Sequence, residues 1–248
     1  MNDLDFNFIL GTNRKDDLAG GPENDLIKAK DGRDNLRITK GDDTLLGNRG
    51  NDLFTWEFLD DDDDWRGSIY AEGGPGDDSF YYPFGNYFID CGRGNDTVFG
   101  TDSRSTSISE RTILGGSGND SISMFNINSS NVLIDGGKGV DFLQGGRGDD
   151  TLIGGNQRDN LTGGEGSDVF VISKGGDEIY DFNPREDMIS GFYSPRINKT
   201  SGSWTTIREI IDGEKYCMKL YRFSDEDFKY LLNNIDNIFV DNIFTGES

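Results

Sequence analysis

A nine-residue period runs through this chain without a gap in two blocks. Residues 11–55 divide into GTNRKDDLA, GGPENDLIK, AKDGRDNLR, ITKGDDTLL and GNRGNDLFT. Residues 136–180 divide into GGKGVDFLQ, GGRGDDTLI, GGNQRDNLT, GGEGSDVFV and ISKGGDEIY. Every unit has Asp at its sixth position and an apolar residue at its eighth, and Gly is frequent at positions 1, 2 and 4. Units this short cannot bury a core alone, so they must stack into a solenoid. Within a unit, Gly permits a positive-φ turn and leaves backbone carbonyls free. A strand then turns its eighth residue inward and its seventh and ninth outward.

Such a stack has to overcome its own charge. The 248 residues carry 24 Lys+Arg against 46 Asp+Glu, a net −22, with only 33% apolar residues. That balance favours disorder unless something offsets the repulsion. It also argues against nucleic acid and anionic membranes, both of which need a basic patch. The absence of His excludes Ser/His/Asp and Cys/His pairs and His-ligated zinc or haem. No stretch approaches the 18 apolar residues of a membrane span, and the first ten residues lack the basic start of a signal peptide.

The units resemble the haemolysin-type RTX calcium-binding repeat, G-G-x-G-x-D-x-U-x, over about residues 11–190. The resemblance implies an all-β fold, a right-handed parallel β-roll in which two units make one rung. Turns then alternate between two flanks, A and B, and a calcium ion lies between consecutive turns of one flank. Carboxylates and carbonyls suit that ion, which takes six to eight oxygens. Export by a type I secretion apparatus, through an uncleaved C-terminal signal, is a further implication.

Residues 56–135 look irregular until the flanks are separated. Good turns recur at 73, 91 and 115, and the pieces 56–72, 82–90, 100–114 and 124–135 lie between them. If each piece is one turn plus strand on flank B, the alternation never breaks. Flank A then carries Asp16, Asp34, Asp52, Asp78, Asp96, Asp120, Asp141, Asp159 and Asp177 at position 6. Flank B keeps the motif only at its ends, with Asp25 and Asp43 first, Asp150 and Asp168 last, and Asp187 in DFNPREDMIS as a further member. Eight inter-turn sites on flank A and two or three on flank B imply about ten or eleven Ca²⁺ ions. Arg14, Glu23 and Gln157 replace the position-4 Gly, and Cys91 a position-1 Gly, so those turns are expected to bind more weakly or through altered loops.

Other features are weaker. Asp62 and Asp64 could begin an EF-hand loop, but Arg66 and Gly73 fall where ligands should be, so an acidic loop tip is expected. The flank-B pieces gather Trp56, Phe58, Trp65, Tyr70, Tyr82, Phe84, Tyr87 and Phe88, which either stack on sugars or partners or serve as local core. The outward positions of flank A form no uniform Thr ladder, which disfavours ice binding. Cys91 and Cys217 should lie roughly 20 Å apart at the ordinary strand spacing, so two free thiols are expected.

The expected organisation is an N-terminal cap strand (1–10) and a β-roll (11–190, with tandem repeats at 11–55 and 136–180 around a mixed 56–135). A C-terminal cap carrying the secretion signal follows (191–248). In the cap, WTTIREII and KYCMKLYRF read as a hairpin, Ser224 with Asp227 as a helix start, and IDNIFVDNIF as a β-prone run. The chain is expected to be a secreted, extracellular or cell-surface calcium-dependent scaffold. The alternative is a glycan- or protein-binding module using the flank-B aromatics. Catalysis ranks third, since HExxH and GxSxG are absent and only carboxylate chemistry remains.

Overall fold

A computed structural model describes residues 6–56, 67–81, 85–100, 111–125, 130–171, 173–191, 196–199, 204–211, 214–221 and 224–240. The first repeats supply β1 (Phe6–Leu10), β2 (Asp17–Ala19), β3 (Asn24–Asp31), β4 (Asn35–Ile38), β5 (Asp43–Arg49) and β6 (Leu53–Trp56). The irregular middle supplies β7 (Ser68–Pro75), β8 (Ser79–Tyr81), β9 (Asn86–Arg93), β10 (Thr97–Phe99), β11 (Arg111–Leu114), β12 (Ser121–Ser123) and β13 (Leu133–Asp135). The last repeats give β14 (Phe142–Gln144), β15 (Thr151–Ile153), β16 (Asn160–Thr162), β17 (Val169–Val171), β18 (Asp177–Ile179) and β19 (Met188–Ser190). A cap follows: β20 (Arg196–Lys199), β21 (Trp204–Ile211), β22 (Glu214–Tyr221), α1 (Asp225–Asn233), α2 (Ile235–Ile238) and β23 (Phe239–Val240).

Odd strands from β1 to β19, then β23, form an eleven-stranded sheet; even strands from β2 to β18, then β22, β21 and β20, form a twelve-stranded one. The result is a parallel β-solenoid of about nine turns. The flank-A turns feed the twelve-stranded sheet and the flank-B turns the eleven-stranded sheet. Each of the four irregular pieces contributes one strand to the latter, β7, β9, β11 and β13, so the two sheets stay in step across the middle. Extra length is absorbed between strands while the parallel register continues.

Between the sheets the core is one side chain deep from each face. The twelve-stranded sheet contributes Leu36, Phe54, Phe80, Val98, Ile122, Leu143, Leu161 and Ile179, all buried, with Leu18 partly covered at the open end. The other sheet contributes Ile27, Leu45, Ala71, Ile89, Ile113, Ile134, Leu152, Phe170 and Ile189. Identical positions stack directly, as Phe54 does on Phe80 with centroids 4.4 Å apart.

The cap departs from the repeat in direction as well as sequence. β21 and β22 pair antiparallel, and β22 then adds parallel to β18. Ser224 and Asp227 form a capping box at the start of α1. The run IDNIFVDNIF is only partly extended: Ile235–Ile238 is a helical turn, and only Phe239–Val240 pairs, against β19. Residues 241–248 lie outside the described residues, as do Asp60–Asp64, Phe58, Trp65, Tyr82 and Phe84. Trp56 and Tyr87 are core residues, whereas Tyr70 and Phe88 stack on the outer face of the eleven-stranded sheet. Cys91 is a buried free thiol; the side chain of Cys217 lies outside the described residues.

Candidate metal centre

The sixth residue of each turn sits where the chain leaves the turn and enters the strand, so stacking brings these residues into a column. On flank A the column is continuous. The amides of Asp16, Asp34, Asp52 and Asp78 each donate to Oδ1 of the next aspartate at 2.7 Å. Those of Asp96, Asp120 and Asp141 do so at 2.8 Å, and that of Asp159 reaches Asp177 at 3.2 Å. On flank B the same bond joins Asp25 to Asp43 at 2.9 Å, Asp150 to Asp168 at 2.9 Å and Asp168 to Asp187 at 3.0 Å. All fourteen aspartates singled out from the sequence therefore stand in one of these columns.

One carboxylate oxygen is thus satisfied by the neighbouring turn. The other is not. Oδ2 of Asp34, Asp52, Asp78, Asp96, Asp120, Asp141 and Asp159 is buried and accepts no hydrogen bond. At the ends the pattern changes: Gly21 N donates to Asp25 Oδ2 at 2.7 Å, Gly146 N to Asp150 at 2.6 Å and Asn183 N to Asp187 at 2.7 Å. A buried charged oxygen without a partner is costly, and a row of them more so.

The first glycine of each turn shows what these oxygens face. A methyl group built on Gly136 would stand 2.6 Å from Asp141 Oδ2 and 2.6 Å from the Gly154 carbonyl oxygen of the next turn. On Gly115 the corresponding distances are 2.7 Å to Asp120 Oδ2 and 2.6 Å to Gly136 O. Carboxylate and carbonyl oxygens from successive turns therefore converge on a space closed to a side chain. That oxygen-only donor set fits a hard divalent cation such as calcium. Among the described residues no cluster of three His, Cys, Asp or Glu side chains could hold a metal. Backbone carbonyls would have to complete the shell.

Electrostatics mark the same column. Burial is the largest cause pushing Asp78 up to about 7, Asp96 to about 8 and Asp120 to about 6; backbone N–H bonds oppose it and neighbouring aspartates add to it. On flank B burial likewise carries Asp150 up to about 7 and Asp168 to about 8. Without a cation, burial disfavours the ionised form of these carboxyls.

Where the repeat departs from Gly, the turn mostly survives. Lys30 and Asn48 at position 2, and Gln157 at position 4, hold left-handed backbone with φ of 81°, 72° and 81°. Such strain costs about 1–2 kcal/mol per residue and persists only when the surroundings over-determine it. Cys91 keeps its place in the wall with its side chain buried.

A second column was not anticipated from the sequence. Position-5 side chains accept from the next turn: Asp77 N donates to Asn51 Oδ1 at 3.1 Å, Asn95 N to Asp77 at 2.8 Å, and Asn119 N to Asn95 at 2.8 Å. On flank B, Asp149 N donates to Asn131 Oδ1 at 2.9 Å. The signal was present in the recurring Asn-Asp and Asp-Asp pairs, which otherwise pass for ordinary turn residues.

Fold and columns together define a class: a parallel β-solenoid whose turns present buried anionic and carbonyl oxygens to cations. The RTX calcium-binding nonapeptide repeat matches in four copies, over residues 10–37, 39–55, 112–123 and 135–170, so the chain carries RTX calcium-binding repeats. No curated protein matches it. Among solved structures it is similar to the extracellular lipase LipA from Serratia marcescens, at 17% identity and a TM-score of 0.38. That match covers 97% of this chain and 40% of the lipase chain. Among the described residues no helix is long and apolar enough to cross a membrane.

Proposed function

We propose that this chain is a secreted scaffold that folds as it takes up about ten or eleven calcium ions outside the cell. The observation that carries the proposal is the run of seven buried Oδ2 atoms, from Asp34 to Asp159, that have no partner within the chain. Calcium, when bound, supplies the positive charge and coordination that these oxygens lack. The chain's own residues do the rest: aspartates line the column, glycines keep the turns open, and the two apolar rows align the strands. In low cytosolic calcium the −22 chain repels itself and stays loose enough for a type I exporter. Roughly millimolar extracellular calcium matches the weak affinities of about 10⁻⁴–10⁻³ M found in extracellular modules. Residues 191–248 would combine the cap with the export address. The role is structural rather than catalytic, at the cell surface or in a matrix or surface layer.

Counting ions by equilibrium dialysis tests this directly. Saturation near ten supports it, and an uptake of none or one refutes it. Recovery in the medium on co-expression with a type I exporter tests the location, and retention in the cell would contradict it.

A second reading rests on the outer face of the eleven-stranded sheet. Tyr70 and Phe88 stack there with centroids 5.4 Å apart and planes 1° apart, and Tyr70 is 40% exposed. Glu72 and Asp90 lie beside them in register. Aromatic faces flanked by acceptors suit a glycan or a protein anchor. Glycan-array binding in calcium that Tyr70→Ala abolishes would favour this reading; calcium-driven assembly seen by light scattering would favour the scaffold.

A further inference from the structure

The position-6 column of flank B changes character in its middle. Register carries it from Asp43 to Ile69, then to Tyr87 and Arg111. Val132 follows, its amide donating to Asp150 Oδ1 at 2.9 Å in the manner of the aspartates before and after. Four consecutive places therefore hold no carboxylate. Ile69, Tyr87 and Val132 fill theirs with apolar or aromatic bulk.

Arg111 is different. It is only 3% exposed, and a guanidinium is not buried so deeply without compensation. Its Nε donates to the Gly85 carbonyl at 3.2 Å, and its guanidinium lies over the Tyr87 ring, 5.6 Å from the centroid. In the other direction the column runs through Val132 into Asp150. Among the described residues, Arg111 is the one cationic side chain that stands in an aspartate column, and it binds a turn carbonyl of the preceding rung.

We propose that Arg111 takes, on flank B, the place a bound cation takes between other turns. Its guanidinium lies against the Gly85 carbonyl of the preceding turn, and flank B divides into two calcium groups around an ion-free middle. The proposal rests on the calcium reading above and adds a boundary to it. Metal binding ends where the chain provides its own charge, and β7, β9, β11 and β13 are held by apolar packing. Pieces of unequal length can enter there because no ion has to be held between those turns.

The test is a calcium titration of the full chain, wild type against Arg111→Met and Arg111→Lys, following circular dichroism and counting bound ions. Met keeps the length and apolar stem but removes the charge; Lys keeps the charge. All three should bind the same number of ions. The Met variant should need about twofold more calcium at its midpoint, because the lost interaction is shared over all the ions taken up together. Lys should return the midpoint towards wild type. Equal shifts in Met and Lys, or no shift in Met, overturn the proposal. If Met does not fold at any calcium concentration, Lys must fold and Arg111→Gln must not; any other result overturns it. A wild-type chain that binds no calcium would instead remove the reading beneath it.

Discussion

The amide of Asp96 donates to Oδ1 of Asp120 at 2.8 Å across 24 residues, whereas Asp34 and Asp52 make the same bond across 18. The extra six residues leave the column undisturbed because they are spent on the opposite flank. Position-6 geometry on flank A is therefore independent of what flank B inserts.

That continuity makes the middle of flank A the place to test ligation. Asp96→Ala and Asp120→Ala should each lose about one ion and destabilise the calcium-loaded fold by about 2–4 kcal/mol, as expected where a buried ligand is removed. The same change at Asp90, an outward strand residue, should cost under about 0.5 kcal/mol. Calcium titrations with parallel thermal melts check both. Equal effects at Asp90 and Asp96 would contradict the assignment of the column.

Acidity should replace part of what calcium provides. Asp78 and Asp150 are pushed up to about 7, and Asp96 and Asp168 to about 8, chiefly by burial. A raised carboxyl pKa means the folded, metal-free chain holds protons that the unfolded chain has released. Its stabilising contribution is full below the unfolded value near 4 and is lost as pH rises through about 6 to 8. Calcium-depleted protein should therefore gain β structure at about pH 5 that it lacks at about pH 8, read by circular dichroism. The calcium midpoint should fall over the same rise, as protons cease to compete. A depleted chain more stable at the higher pH would contradict this.

Beside the pairing of β22 with β18, one acid ties the cap to the roll. Glu178 on β18 is buried and accepts from Lys219 Nζ at 2.9 Å and Tyr221 Oη at 2.9 Å on β22, with Arg158 also paired to it. Glu178→Ala leaves those donors without their acceptor and should destabilise the cap by about 1–3 kcal/mol, since Lys219 and Arg158 keep access to water. Amide exchange should quicken in β21 and β22 first, while β4 to β12 stay protected in calcium. Uniform exchange across the roll would show that the cap is not a separate unit of opening.

Much of the fold could be read from the sequence because the landmarks repeat. Position-6 Asp and position-8 apolar residues locate every flank-A strand, including β8, β10 and β12 in the irregular middle, and hence the alternation of the two sheets. The middle of flank B could not be read in the same way. Its turns vary in length and lack Gly and Asp, so nothing in the sequence places Ile69, Tyr87, Arg111 and Val132 in the aspartate column. Of the flank-B aromatics, Trp56 and Tyr87 take the local-core reading while Tyr70 and Phe88 face outward, since residue type does not say which side of a strand faces inward. The tail was misjudged for a different reason. Ile235–Ile238 has β-prone composition, but after α1 it continues as one more helical turn before reaching β19, a tertiary preference that overrides propensity.

Calcium-dependent folding is tested most directly by far-ultraviolet circular dichroism of the full chain, first freed of calcium near pH 7.5 and then titrated with it. A weak, disordered spectrum should give way to a strong β signal in one steep transition, with a midpoint of about 10⁻⁴–10⁻³ M and reversal by chelator. A full β spectrum in excess chelator, unchanged by added calcium, would contradict it.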